Sequence, residues 1–252
     1  MKSYNCNNCG TNYEGNFCFN CGQIKSANHR LVISSIVKDF FDNTFNIHKG
    51  FFYTFWNLII HPSKVSKSYI QGKRKSYTNP TRYLVIALAA LAFMEYWAQM
   101  NEVINNDSFE GYPFLSDRLN NSARLWDLRL LTDWTLLGNL LEALVFPLGF
   151  YWLFKKLKYN YSELLVFSFY LISNSIFITI LLVGFPKLLL SYNSPTLFVF
   201  GTIIAYYVYA LFNFFKEIPL IRRITFIFIG LIIFFALRFL LIPMILALLF
   251  PI

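Results

Sequence analysis

The residues best equipped for chemistry are four cysteines, Cys6, Cys9, Cys18 and Cys21, which are all the cysteines of the 252-residue chain. They form two Cys-x-x-Cys-Gly units with eight residues between Cys9 and Cys18. Two residues between thiols let both sulfurs of a tight turn converge on one tetrahedral ion. The glycine after each pair, Gly10 and Gly22, admits the positive φ that brings backbone N–H groups toward the sulfurs. Two such knuckles complete a four-thiolate site, and structural zinc is its expected occupant, with rubredoxin-type iron as the alternative. About 25 residues cannot build an adequate apolar core, so the metal supplies much of the folding energy. A redox dithiol needs only one pair within a thioredoxin-like fold, and that pattern is missing. Four protein ligands leave no open coordination position, which disfavours metal catalysis.

A second set of candidates lies in apolar surroundings. Glu142 and Arg238 each interrupt a long hydrophobic run, and charges there usually face a partner or a cavity. Their similar depth in antiparallel helices predicts an ion pair across the bundle. Pro147 and Pro243 interrupt the same two runs and are expected to kink them. The three histidines, His29, His48 and His61, are scattered, and no Ser-His or His-acid pairing is evident, so no enzyme is expected.

The elements that must hold these residues are hydrophobic helices. Hydrophobic residues make up 56% of the chain and charged residues only 14%, too few to cover a soluble domain of this size. Five windows approach the roughly 20 apolar residues needed to cross a bilayer: 80–98, 134–154, 164–184, 195–215 and 224–250. The leading residues are polar, with no apolar stretch of the kind a cleaved signal peptide carries. Lysine and arginine resist translocation. Seventeen of them fall in residues 1–82 and in the links after the second and fourth windows, against four in the alternate links. That distribution predicts five spans with the N-terminus in the cytosol and the C-terminus outside. The cysteines then face a reducing compartment. The net charge of +9 is accounted for by this topology and by attraction to an anionic inner leaflet, so no nucleic-acid partner is expected.

Between the cysteines and the first window, residues 31–45 carry apolar side chains at helical spacing, and 51–60 form a second apolar run too short to span. Both read as helices at the inner interface or against the bundle, with a re-entrant hairpin over 45–65 as the alternative. Lys73, Arg74, Lys75 and Arg82 then cluster just before the first span, as an anchor or a docking site for anionic lipid or an acidic partner. In the loop before the second window, Leu119, Ala123, Trp126 and Leu130 fall at helical spacing and predict a short interfacial helix. Asp117, Asp127 and Asp133 there read as solvated loop charge.

Several of these residues carry a family pattern. Cys6, Cys9, Cys18, Cys21, Phe51, Phe52, Thr54, Pro62, Tyr69, Gly72, Lys73, Arg74, Tyr77 and Pro80 resemble the bacterial domain-of-unknown-function 3667 family. The family often has Gly after the turn proline, where this chain has Ser63. The resemblance implies a zinc-ribbon membrane protein and no assigned activity, and the charge distribution above places it in the bacterial inner membrane.

The expected architecture is thus an all-α polytopic membrane protein. Residues 1–26 form a zinc-ribbon head, 27–79 form interfacial amphipathic helices and a basic segment, and 80–252 form a five-helix transmembrane domain. The leading functional expectation is an adaptor or accessory subunit whose cytosolic head binds a protein partner. Exposed aromatics rather than basic residues on the head favour protein contact. The alternative is a small transporter, channel or lipid-handling protein that uses Glu142 and Arg238.

Overall fold

The structure is a computed structural model, and it describes residues 3–25, 31–33, 50–98, 116–151 and 159–250. Most of the amphipathic segment 31–45, His29, His48, the loop 99–115 and the basic link Lys155-Lys156-Lys158 lie outside the described residues.

The head is built from two small loops. Strands β1 (Tyr4–Asn5) and β2 (Asn12–Tyr13) pair antiparallel, with Tyr4 opposite Tyr13, and enclose the first knuckle. A bridge between Phe17 and Ile24 encloses the second. Each knuckle closes in the same way. Gly10 N–H donates to the Cys6 carbonyl at 2.8 Å, and Gly22 N–H to the Cys18 carbonyl at 2.7 Å. Both glycines have positive φ, +74° and +70°, the conformation the sequence pattern requires.

Helices make up the rest. Helices α1 (Gly50–Ile60) and α2 (Pro62–Ile70) form a hairpin with Pro62 in the first turn of α2, where its missing N–H leaves no bond unmade. Helix α3 (Pro80–Ala98) follows the basic loop. Helix α4 (Asp117–Leu131) meets α5 (Thr135–Tyr151) at a bend of 98°. Helix α6 (Tyr161–Thr179) runs through a π-helical segment (Ile180–Gly184) into α7 (Phe185–Leu190). Helix α8 (Thr196–Phe214) precedes α9 (Leu220–Ala236), which runs through a second π segment (Leu237–Leu241) into α10 (Ile242–Leu249).

Three of these helical runs are long and apolar enough to cross a membrane: Tyr161–Leu190, Leu197–Phe214 and Leu220–Leu249. The bent pair α4–α5 would make a fourth if it is one broken span. Helix α3 is also 19 residues long, but Arg82 and Glu95 lower its hydropathy. The three runs support a membrane protein, and the five windows of the sequence correspond to α3, α5, α6–α7, α8 and α9–α10.

Helix α6 is the axis of the bundle. It starts with a reciprocal cap: the Asn160 side chain accepts from Glu163 N–H, and the Glu163 carboxylate accepts from Asn160 N–H, each at 2.8 Å. From Ser162 to Ile176 every residue is buried, so this helix is covered on all sides. Its polar side chains serve its neighbours. Pro147 has no N–H for the Ala143 carbonyl four residues back, and Ser168 donates to that carbonyl at 2.6 Å instead. Pro186 likewise frees the Leu182 carbonyl, which accepts from the Ser194 hydroxyl. Asn174 accepts from Tyr83 at 3.0 Å and donates to Tyr206 at 3.1 Å, and Tyr206 donates to the Leu58 carbonyl of α1 at 3.1 Å. One amide thus ties α3, α8 and the α1–α2 hairpin to the axis.

The face of α4 predicted from Ala123, Trp126 and Leu130 is indeed helical and buried, and it packs on protein. Ala123 and Trp126 meet Ala247 of α10, and Trp126 Nε1 donates to the Phe250 carbonyl at 2.8 Å.

Candidate functional sites

The first site is the four-cysteine cluster. The four Sγ atoms lie within 4.8 Å of one another, with Cys6–Cys21 and Cys9–Cys18 both at 3.6 Å. A tetrahedral ion with bonds of about 2.3 Å holds its sulfurs roughly 3.8 Å apart, so the donor set fits a thiophilic ion closely. Cys6 and Cys18, the first cysteine of each knuckle, are buried, and Cys9 is exposed. Cys9 Sγ is hydrogen-bonded to the Thr11 hydroxyl at 3.3 Å, and Asn20 donates to that hydroxyl at 3.0 Å. Hydrogen bonds from the side chain and backbone of Thr11 draw the Cys9 thiol down to about 6, whereas burial pushes Cys21 up to about 11. One thiolate is ready near neutral pH. Another must release its proton to solvent as a cation binds, the usual coupling of metal binding to proton release.

The basic loop meets this head. Arg74 N–H donates to the Gln23 side-chain carbonyl at 3.2 Å, and the Arg74 guanidinium stacks over Tyr69 at 5.5 Å. The Lys75 ammonium lies beside Gly22, 3.8 Å from where a β-carbon there would sit. Lys73 and Lys75 are exposed, but Arg82 is only 9% exposed. Of the four cations expected to face lipid or a partner, Arg82 therefore faces the protein interior.

The second site is a cavity of about 250 Å³ inside the helix bundle, to which α3, α5, α6, α8 and the second π segment all contribute. Its walls are apolar, for example Leu91, Ile176, Val183, Val199 and Phe235. Its polar groups include Glu95, Asn139, Glu142, Ser175, Tyr207 and Arg238. The sequence places Glu142 and Arg238 at one level, and the structure brings both to this chamber without pairing them directly. Arg238, 2% exposed, donates from Nη1 to Asp127 at 3.3 Å. Glu142 accepts from the Tyr207 hydroxyl at 3.1 Å, and Tyr207 in turn lies 3.2 Å from the Ser175 hydroxyl. The expected Glu142–Arg238 ion pair is thus replaced. The 98° bend carries α4 back over α5 and delivers Asp127 to the arginine first. For the same reason Asp127 is a buried partner and not a solvated loop charge.

Gly138 makes this arrangement possible. A β-carbon there would stand 2.3 Å from the Leu130 carbonyl oxygen and 3.5 Å from Arg238 Nη2, so only glycine lets the end of α4 lie so close to α5. The π segments also border the cavity, with Val183 on one and Arg238 and Phe239 on the other. Such single-turn π insertions recur at functional sites because they re-aim side chains without breaking a helix. Asp127, Ser175 and Tyr207 carry no spacing signal in the sequence. The polar triplet Ser173-Asn174-Ser175 inside an otherwise greasy span is the clue that could have pointed to this chamber.

Residues 49–92 match the family model DUF3667, a protein of unknown function. The match covers the Phe51-to-Pro80 part of the pattern seen in the sequence and supports that resemblance; the cysteine knuckles precede it. Comparisons with curated proteins and with solved structures give no match. The matched segment is the piece on which the head rests, through Gln23 and Arg74, and which α6 and α8 hold, through Tyr170, Tyr206 and Tyr209. Tyr170 donates to the Thr78 carbonyl at 2.5 Å, and Tyr209 to the Ile60 carbonyl at 2.5 Å.

Proposed function

We propose that this chain is a five-span protein of the bacterial inner membrane that binds an amphiphilic ligand in its helix bundle, beneath a cytosolic head held together by structural zinc. The observation that carries the ligand reading is the cavity, where an arginine and a carboxylate line one apolar chamber with no ion pair between them. Charged side chains at membrane depth mark binding sites and ion paths more often than packing alone. Zinc is supported by the four sulfurs at tetrahedral spacing. The exposed aromatic face of α1, including Phe52, Tyr53 and Trp56, suits the headgroup layer of the inner leaflet.

The test is to extract the protein gently and analyse small molecules that accompany it, beside a Val199→Trp variant that fills the cavity from α8. A stoichiometric amphiphile on the wild type, lost in a variant that still melts cooperatively, is expected. Equal content in the two proteins, or none in either, defeats the reading.

A second reading keeps the head as an adaptor. Phe17 is 61% and Phe19 80% exposed, on either side of buried Cys18, so two large rings project beside the metal site. A protein retained in stoichiometric amount by the wild type and lost on Phe17→Ser/Phe19→Ser would favour that role.

A further inference from the structure

The chamber presents charge of both signs. Arg238 uses Nη1 for Asp127, and its Nε is buried with no hydrogen-bond partner. A guanidinium carries five N–H donors, so the contact with Asp127 uses only part of its capacity. In the same chamber, Tyr207 occupies Oε1 of Glu142, while Glu95 of α3 adds a second carboxylate to the lining. The π segment Leu237–Leu241 sets Arg238 against this space, with its guanidinium 4.8 Å from the Phe239 ring.

A purely anionic ligand would satisfy Arg238 but meet Glu142 and Glu95. A purely cationic one would satisfy the carboxylates but meet the like charge of Arg238. The apolar walls at Leu91, Ile176 and Phe235 call for a hydrocarbon portion. We propose that the cavity takes a zwitterionic amphiphile of the phosphoethanolamine class, its phosphate toward Arg238 and its primary ammonium toward Glu142 and Glu95. An ammonium supplies three N–H donors to two carboxylates, whereas a quaternary ammonium of equal charge supplies none. Arginine matches phosphate with paired N–H groups. This inference rests on the ligand-binding reading above and specifies its chemistry.

The test compares short-chain phosphatidylethanolamine, phosphatidylcholine and phosphatidylglycerol on the full-length protein in detergent, by native mass spectrometry. One ethanolamine lipid should be retained, at least about tenfold more tightly than either of the others, a margin of roughly 1.4 kcal/mol. Glu142→Gln should reduce the advantage over the glycerol lipid by about fivefold or more while preserving the melting transition. Glycerol or choline lipid held as well as ethanolamine lipid overturns the zwitterion assignment and leaves a ligand cavity standing. Retention of none of the three by folded wild-type protein overturns both. The headgroup comparison on wild type is decisive even if Glu142→Gln does not fold.

Discussion

Arg238 and Asp127 show how a single buried contact is to be weighed. Both side chains are nearly inaccessible, 2% and 11% exposed, and a lone charge left in such a place is expensive. Arg238→Met alone should lower stability by about 3–5 kcal/mol, because Asp127 stays behind without its partner. Asp127→Leu combined with Arg238→Met should recover most of that loss. Glu142→Gln combined with Arg238→Met should recover less, since the carboxylate of Glu142 is bonded to Tyr207 and makes no ion pair with the arginine. Thermal unfolding of these proteins in detergent, with the Asp127→Leu and Glu142→Gln single variants added, closes a double-mutant cycle for each pair. A strong recovery through Glu142 and none through Asp127 would reverse the assignment. The same residues mark where the linear sequence stops being informative. The cysteine knuckles are legible because the whole constraint lies within 17 consecutive residues, Cys6 to Gly22. The partner of Arg238 is not legible, because 111 residues and a sharp bend separate it from Asp127.

At the scale of elements, hydrophobic periodicity identifies most of the helices, since a bilayer or a bundle interior demands long uncharged runs wherever the backbone must satisfy itself. It gives no hint of the 98° turn between α4 and α5 or of the two π segments. These depend on what each carbonyl and proline meets in space, as Ser168 for Ala143 and Ser194 for Leu182 illustrate. The bend also corrects the picture of α4 as a surface helix, because Trp126 and Ala123 pack on α10. Gly138 is its pivot. Gly138→Ala places a methyl group 2.3 Å from a backbone oxygen, which no rotamer change can relieve. Overpacking of this sort typically costs about 1–3 kcal/mol. The variant should therefore melt earlier and bind less amphiphile, as α4 moves away and takes Asp127 from Arg238. Gly201 is the control, since a β-carbon there meets nothing within 4 Å, and Gly201→Ala should leave both properties unchanged. If Gly138→Ala and Gly201→Ala behave alike, the pivot has been misplaced.

For the whole molecule the question is how head and bundle are joined, and on which side of the membrane. The second knuckle touches the basic loop through Gln23 and Arg74, with Lys75 beside Gly22, and that loop leads directly into α3 through Asn79, whose side chain accepts from Thr81 N–H at 2.9 Å. Gln23 also anchors the knuckle itself, because its carbonyl accepts from Cys18 N–H at 2.9 Å. An ion that fixes Cys18 and Cys21 therefore fixes the surface that Arg74 meets. Removing it should free the head while the bundle stays folded, since the apolar core over α3, α6 and α8 shares no residue with the cysteine cluster. In inverted membrane vesicles, with the cytosolic face outward, protease should spare residues 3–25 until a chelator is added and then remove them. The bundle should remain intact throughout, and added zinc should restore protection. The proposed topology, in which lysine and arginine resist translocation, predicts that in right-side-out spheroplasts the head survives with or without a membrane-impermeant chelator. Cleavage from the outer face would invert the topology and carry the metal site into an oxidising compartment. Cleavage from the cytosolic face that ignores the chelator would leave the topology intact and refute metal-dependent docking of the head.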